Sequence, residues 1–214
     1  MMPIPHRDGA RGHVGRVIES SSPGRRAGGA RSVSNLLFLA CALAGAQMVH
    51  GAEPLPEYQV KAAWLLNFAR FVEWPADRFT SAEAPFVVGI VGEDPFGLHL
   101  ESTFAGKTVK GRSFLIKRLD AGADLTSCHL VFFSSSERRK HREMCDGLRQ
   151  AAVLTVGDTA DFADNGGMIG FVRKDNAIRF HINFDVAQPA GLSLSAQLLK
   201  VALSVRGRYK GGRE

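Results

Sequence analysis

Three short apolar runs constrain the fold of this chain more than any other feature of its sequence. They are Phe86–Val91, Cys128–Ser134 and Val153–Val156. Nearly continuous apolar runs of this length are typical of strands that are buried on both faces, as in a parallel sheet. Segments of helical pattern separate them, and a strand–helix–strand order implies parallel pairing through right-handed crossovers.

Periodicity predicts the remaining elements. Val60, Trp64 and Phe68 recur at helical spacing within Glu57–Pro75, and Pro75 ends that segment. Ala177–Val186 alternates strictly between apolar and polar residues, which is typical of a strand with one wetter face. The other predicted elements are a helix at Leu98–Phe104, an edge strand region at Lys107–Leu119, a helix at Glu137–Gln150, a strand at Met168–Arg173 that forms a hairpin with Ala177–Val186, and a closing helix over Leu194–Val205.

These elements fit one domain. At 214 residues and 45% hydrophobic content, the chain can bury a full core. We predict a single α/β domain over residues 53–205. Its mixed sheet of about five to six strands is flanked by helices and ends in an antiparallel hairpin and a closing helix.

The N-terminal 52 residues have the features of a secretory leader. A cluster of arginines precedes the apolar run Leu36–Ala46. This run is too short to span a membrane and fits the hydrophobic region of a signal peptide. We predict cleavage near residues 46–52 and an exported mature protein; an uncleaved membrane anchor is the alternative.

The charge distribution argues against nucleic-acid binding. The formal net charge is +6, but residues 1–52 contain six arginines against one aspartate and one glutamate. Most of the excess therefore belongs to the predicted leader and not to a basic surface of the domain. Residues 206–214 are basic and glycine-rich, and we predict a frayed tail there.

The exported domain has two cysteines, Cys128 and Cys145. An even number of cysteines in an oxidising compartment favours a disulfide. The predicted strand rises about 20 Å from Cys128, and the following helix, if it folds back on the strand, descends about 14 Å before Cys145. The two cysteines would then lie at similar positions along the strand axis. We predict a Cys128–Cys145 disulfide; two buried free thiols are the alternative.

The sequence contains no enzyme signature and no metal-ligand spacing, so we expect no enzymatic activity, cofactor or metal. His129 lies in an apolar strand, where a packed, hydrogen-bonded ring is the expected role, and His141 is expected to be solvated. Ser134, Ser135 and Ser136 follow a strand and precede a helix. They form a possible anion site, and helix capping is the alternative.

Ordered blocks across the chain resemble the YfiR family. The blocks are EYQVKAAWLLNFARFVEWP, VVGIVGEDPFG, CHLVFFSSSE, VLTVGDTADFADNGGMIGFV, RFHIN and GLSLSAQLLKVA. The resemblance implies a periplasmic α/β protein without catalytic activity that represses an inner-membrane diguanylate cyclase, and thereby controls cyclic-di-GMP and biofilm. It also implies a homodimer, sequestration by an outer-membrane lipoprotein, and a redox-sensitive disulfide. The partner could instead be another membrane sensor, and a periplasmic small-molecule or anion binding protein is the alternative function, with its pocket near Gly92–Gly97 and Ser134–Ser136.

The positions of further residues in the predicted hairpin and helices suggest roles for them. We expect partner contacts from half-exposed apolar side chains of the hairpin, with core packing as the alternative: Met168, Ile169, Phe171 and Phe180. We assign structural roles to Trp64, Asn67, Arg70, Trp74, Gly166, Gly167 and Asn183. Asn67 falls on the apolar stripe of the first helix, so we expect it to be buried and hydrogen-bonded to the terminal strands.

Overall fold

The structure, a computed structural model, describes residues 56–207 of the chain. In chain order the strands are β1 (Val72–Glu73), β2 (Phe86–Val91), β3 (Thr108–Val109), β4 (Arg112–Leu119), β5 (Leu130–Phe133), β6 (Leu154–Gly157), β7 (Ile169–Lys174), β8 (Ala177–Asn183), β9 (Ser193–Leu194) and β10 (Ser204–Arg206). The helices are α1 (Glu57–Phe71), α2 (Leu98–Phe104), α3 (His141–Gly147), α4 (Phe184–Ala187) and α5 (Ala196–Val201). Two 3₁₀ segments are Ala76–Arg78 and Ser135–Lys140.

One mixed sheet organises the domain. Its eight strands follow the order β10-β8-β7-β6-β5-β2-β4-β3. The pairs from β4 through β2, β5 and β6 to β7 are parallel, while β7–β8 and β3–β4 are antiparallel hairpins. The predicted α/β class and the parallel centre are confirmed. The sheet exceeds five to six strands because the short β3 and β10 extend its two edges.

Side chains of the central strands alternate between two cores. In β2, Phe86, Val88 and Ile90 face the larger core, which α1 and α2 cover. Val87 and Val91 face the opposite side, where they pack with residues of α3 and its flanking loops. Every residue of β2, β5 and β6 is buried. These strands therefore lack a polar face because helices and loops cover the sheet on both sides.

The first helix is shorter than predicted. It ends at Phe71, and Val72 is extended, with φ −104° and ψ 146°. β1 pairs antiparallel with β9, and the Ser195 amide donates to the Phe71 carbonyl at 2.9 Å. The prediction that helix continues to Pro75 is wrong because this pairing with the end of the chain takes up the last residues of the segment.

The helix predicted at Glu137–Gln150 is also shorter. A 3₁₀ segment comes first, its backbone is kinked at Glu137, and α3 spans only His141–Gly147. His141 is buried, and its Nε2 lies 2.9 Å from the Ser134 carbonyl oxygen. The expectation that His141 is solvated is therefore wrong, because the kink turns this ring towards the strand that precedes it.

The end of the chain differs most from prediction. Instead of one helix over Leu194–Val205, α5 is followed by β10, which pairs parallel with β8. The Leu203 amide donates to the Phe180 carbonyl at 2.8 Å, so edge pairing replaces the predicted last turns of helix. Arg206 lies in β10, where its guanidinium bonds Asp164 at 2.8 Å, and the tail is not frayed there. The predicted leader and residues 208–214 lie outside the described residues.

Candidate functional site

Within the described residues, Cys128 and Cys145 are both free and buried. A Cβ at Gly89 of β2 would approach the Cys128 sulfur to 2.9 Å, so this thiol lies over β2. Cys145 interacts with the Thr155 hydroxyl of β6. Val131 of β5 pairs with both Gly89 and Thr155, so it lies between them.

The structure therefore differs from the predicted disulfide. The prediction compared the positions of the two cysteines along the strand axis only. Across the sheet they lie over β2 and β6, which are two strand spacings, or about 10 Å, apart. Burial is the main cause that raises the pKa of both thiols, to about 12 for Cys145. Two buried free thiols, the alternative interpretation, describe this structure.

The four residues expected at the partner surface lie in the core. Met168, Ile169, Phe171 and Phe180 are each at most 1% exposed. Phe68 of α1 covers the rings of Phe171 and Phe180, with centroid distances of 5.7 and 5.1 Å. The expectation of half-exposed side chains is wrong, because α1 packs on the apolar face of the hairpin. In this conformation these four side chains are not available to a partner.

The three serines have local roles. Ser134 caps the 3₁₀ segment by accepting from the Ser136 amide at 3.5 Å, and Ser136 Oγ accepts from the Glu93 amide at 3.0 Å. Ser135 is exposed. The carboxyl ends of β2 and β5 flank the switch in strand order, which is where open α/β sheets bind ligands. Here Ser136 bridges the two loops, so the geometry favours capping over the predicted anion site.

Of the residues with predicted structural roles, the two tryptophans make ordered contacts, whereas Asn67 and Arg70 are partly or fully exposed. Trp64 packs edge-on against Phe180 at 4.8 Å, and Trp74 Nε1 donates to the His129 carbonyl at 3.0 Å. Asn67 is only half-buried, and no side-chain hydrogen bond joins it to the terminal strands in the part of the chain described. Arg70 is exposed. The expectation of a buried Asn67 is wrong because it lies at the margin of the apolar stripe.

The paired glycines and Asn183 fix the loop between β6 and β7. Gly166 has a φ of +93°, and a Cβ at Gly167 would overlap the buried Phe162 ring. Asn183 is 2% exposed, and its Nδ2 donates to the Ala163 carbonyl at 2.8 Å. Both a turn and a close backbone approach therefore explain the glycine pair.

His129 is a packed ring, as predicted. Its Nδ1 accepts from the Val87 amide at 2.9 Å, and its Nε2 lies 3.4 Å from the Arg78 carbonyl oxygen. Phe79 and Phe86 stack on its two sides, with centroid distances of 4.4 and 5.0 Å. Burial lowers the pKa of His129 to about 4. The ring is therefore neutral at neutral pH and serves packing rather than acid–base chemistry.

A cleft opens beside this ring, between the end of α1 and the β3–β4 hairpin. We call it the aromatic cleft; its lining includes Val72, Trp74, Phe79, Phe86, Lys110 and Arg112. Its volume is about 240 Å³. Apolar and aromatic side chains form the walls, and the two cations lie on the hairpin side. Sequence reasoning missed this cleft because its residues come from segments more than 40 positions apart, from Ala69 to Arg112.

A second missed feature is a buried ion pair. Lys61 of α1 and Asp158, just after β6, are about 5% exposed, and their nitrogen and oxygen lie 3.1 Å apart. Tyr58 donates to the same Asp158 oxygen at 2.8 Å, and Glu57 bonds Lys61 at 2.5 Å. Burial, followed by the hydrogen bond to Asp158, raises the pKa of Tyr58. The signal in the sequence was a lysine on the apolar side of an amphipathic helix.

Exposed apolar residues gather at the β10 edge of the sheet. Val201, Leu203 and Val205 are 44%, 36% and 37% exposed, and we call these three residues the C-terminal edge patch. β10 is the outermost strand of the sheet within residues 56–207. Its one described strand neighbour is β8, so the opposite side of β10 offers backbone groups and apolar side chains together.

The described residues lack two further features, a metal-ligating cluster and a membrane-spanning helix. No group of three or more histidine, cysteine, aspartate or glutamate residues there could hold a metal ion. No helix within residues 56–207 combines the length and the apolar character needed to cross a bilayer.

Comparisons with known proteins place the chain in a family. No curated protein matches it. A crystal structure described as a conserved domain protein from Vibrio cholerae O1 biovar El Tor str. N16961 is 13% identical, with a TM-score of 0.42 over 56% of this chain and 55% of that one. The chain thus spans about half of that protein, and so distant a likeness carries no argument. The YfiR/HmsC-like family model matches residues 58–203, which is well over half of the sequence. The domain whose fold and clefts are described above therefore belongs to the YfiR/HmsC-like family.

Proposed function

We propose that this protein is a periplasmic regulator that represses a membrane signalling protein, a diguanylate cyclase, and so controls cyclic-di-GMP and biofilm formation. Membership of the YfiR/HmsC-like family supports the role of a regulator in this signalling pathway. The leader pattern in residues 1–52 supports export to the periplasm. The partner is then the periplasmic region of the cyclase, and an outer-membrane lipoprotein that sequesters the regulator is a second partner.

The C-terminal edge patch is the observation that carries the proposal. A regulator of this kind needs an exposed surface for its partner. Val205 supplies apolar area on the outermost described strand, and Val201 and Leu203 supply it just before that strand. An open strand edge can bind an extended segment through backbone hydrogen bonds, while its exposed side chains select the sequence. This surface replaces the hairpin residues predicted from the sequence, which are buried.

Homodimer formation remains part of the proposal. A second copy and the cyclase could compete for the same edge, because an exposed apolar strand accepts either partner. Size measurement of the purified protein by light scattering, with and without a Val205→Glu substitution, separates the two uses of the patch. Loss of dimer with retained repression would assign this edge to self-association.

The test of repression uses Val205→Glu. A charge in the middle of an apolar contact is expected to weaken partner binding at least tenfold, because the carboxylate would lose water without gaining a partner. A strain that lacks the protein is complemented with wild type or variant, and cellular cyclic-di-GMP is measured. Wild type is expected to lower cyclic-di-GMP, and Val205→Glu is expected to leave it high.

Leu115→Glu is the matched control. Leu115 lies on β4, near the opposite edge of the sheet, and is 43% exposed, which is close to the 37% of Val205. Both variants are checked for export and thermal unfolding, so that a folding defect is recognised. Repression by Val205→Glu as strong as by wild type would remove the patch from the proposal. Unchanged cyclic-di-GMP on deleting the protein would contradict the cyclase function itself.

A further inference from the structure

We propose that the aromatic cleft is a binding site for a small organic anion that carries a single ring. This goes beyond repression of a membrane protein, because it gives the domain a ligand of its own. The cleft is far in sequence from the C-terminal edge patch and shares no residue with it. It is also distinct from the serine loop where the sequence predicted an anion site.

The walls of the cleft are held in place without a ligand. The Trp74 indole donates to the His129 carbonyl at 3.0 Å and meets the Phe86 ring edge-on at 4.9 Å. Phe79 stacks on His129 at 4.4 Å with an interplanar angle of 11°. Because these rings are already fixed, binding costs little side-chain ordering. A rigid aromatic and apolar lining favours a compact ring over a flexible chain as the apolar part of the ligand.

The cations are placed for an anionic group. The Arg112 guanidinium lies 3.9 Å from the Phe79 ring centroid, and its Nη1 donates to the carbonyls of Ser81 and Ala84 at 2.7 and 2.8 Å. These bonds fix the guanidinium and leave its Nε and Nη2 hydrogens for an acceptor. Arginine in a fixed orientation suits bidentate recognition of a carboxylate.

Lys110 supplies a second charge from the turn of the β3–β4 hairpin. Its φ is +48°, and Gly111 follows with +80°, as the two central positions of a tight hairpin turn require. Its ammonium lies 3.4 Å from a Glu73 oxygen, and both side chains are more than 60% exposed. Such an exposed pair is weak, so a ligand carboxylate can replace Glu73 beside the ammonium.

The volume limits the ligand. An enclosed apolar cavity of about 150 Å³ accommodates benzene. At about 240 Å³, the aromatic cleft has room for one ring and one carboxylate. It is below the usual range of about 300–1,000 Å³ for larger ligands, which argues against a nucleotide. The neutral His129 ring beneath the wall adds no charge, so the selection rests on Arg112 and Lys110.

The test follows the two tryptophan indole N–H signals by NMR while benzoate is added to the full chain. Trp74 lines the cleft. Trp64, which lies in α1 and packs against Phe180 of β8, does not line it, so the Trp64 signal serves as the internal control. Benzoate is expected to shift the Trp74 signal in a saturable way and leave the Trp64 signal in place. Benzamide, which has the ring without the charge, and acetate, which has the charge without the ring, are each expected to bind at least tenfold more weakly.

Two variants make the outcome decisive. Ala76 is exposed at the mouth of the cleft, and Ala76→Phe is expected to fill it and abolish the benzoate shift. Ala160→Phe is the matched control, because Ala160 is also exposed but lines a different cleft, beside β8 and β10. Lys110→Gln, at an exposed position, is expected to weaken benzoate binding about threefold to tenfold. No saturable Trp74 shift at millimolar benzoate, equal binding of benzamide, or retained binding in Ala76→Phe would each overturn the proposal.

Discussion

Cys128 and Cys145 decide whether this domain can respond to oxidants by itself. Only the thiolate is nucleophilic, and burial raises the pKa of both thiols. Cys128 also lies against Gly89 at the centre of the sheet, where no reagent can reach it without local opening. The packing of single side chains, and not the number of cysteines, therefore sets the reactivity.

We predict that both thiols resist alkylation in the folded protein. The test uses protein without the predicted leader, which contains the third cysteine of the sequence, Cys41. Native protein treated with iodoacetamide is expected to incorporate no label by mass spectrometry, and protein unfolded in guanidinium is expected to incorporate two. The unfolding step is done without reductant. Absence of label under that condition, with two labels after reduction, would show that the Cys128–Cys145 disulfide forms in solution after all.

His129 gives the domain a sensitivity to acid. Its pKa falls to about 4 through burial, whereas an unfolded histidine titrates near 6.5. Protonation would also remove the acceptor for the Val87 amide. Because the folded pKa is the lower one, the stabilisation is complete above about pH 6.5 and is lost as pH falls towards 4.

We predict a loss of up to about 3 kcal/mol in the free energy of unfolding between pH 7 and pH 4 from this residue. Urea unfolding at both pH values measures it. His141 also has a lowered pKa, mainly from burial, so the comparison requires a His129→Gln variant. The variant is expected to be less stable at pH 7 and less sensitive to pH. An equal pH dependence in variant and wild type would assign the effect to other groups.

Elements with a strong local pattern were predictable from the sequence. Phe86–Val91 and Leu98–Phe104 have the predicted bounds, because short apolar runs and a nearby glycine define them locally. The end of α1 and the last helix were wrong, because β1–β9 and β8–β10 pair residues more than 20 positions apart. The helical spacing of apolar residues in one segment does not show that a distant segment of the chain will pair with it as a strand.

The candidate sites were less predictable than the fold. Alternation in Ala177–Val186 correctly indicated two different faces of a strand, but it could not show that α1 covers the apolar one. The aromatic cleft combines side chains of α1, β1, β2 and the β3–β4 hairpin, and no single motif contains them. Only tertiary packing determines which apolar side chains stay exposed.

The Lys61–Asp158 pair connects α1 to the loop after β6, and its loss tests that connection. Lys61→Met leaves a buried Asp158 without its cation, and we predict a destabilisation of about 3 kcal/mol. The double variant Lys61→Met/Asp158→Asn is expected to lose less than the sum of the two single changes. Denaturant unfolding of the four proteins measures the coupling.

Lys110→Met serves as the comparison for this prediction. Lys110 pairs with Glu73 at 3.4 Å, but both side chains are more than 60% exposed. Its removal is expected to cost less than about 1 kcal/mol, since exposed pairs contribute little. Equal losses from Lys61→Met and Lys110→Met would contradict a special role of the buried pair.

The whole molecule presents different surfaces at its two sheet edges. β10 at one edge adjoins the apolar C-terminal edge patch, whereas β4 near the other carries Lys117 and Arg118. Arg118 also bonds Asp94 and Glu101 at 2.7 and 2.5 Å, which fixes its side chain beside the edge. Charged side chains at a strand edge discourage uncontrolled pairing, but β10 also carries one, Arg206. The two edges therefore differ mainly in Val201 and Leu203, the exposed apolar residues beside β10.

The pairing of β1 with β9 also has a consequence for how the protein is made. The first helix ends in a strand whose partner, Ser193–Leu194, is synthesised about 120 residues later. Contacts so distant along the chain form late and slowly, because the intervening loop must close first. The domain of a nascent chain therefore stays incompletely folded until Ser193–Leu194 has been synthesised. For the exported protein that we propose, this delay would keep the polypeptide unfolded for passage through a translocation channel.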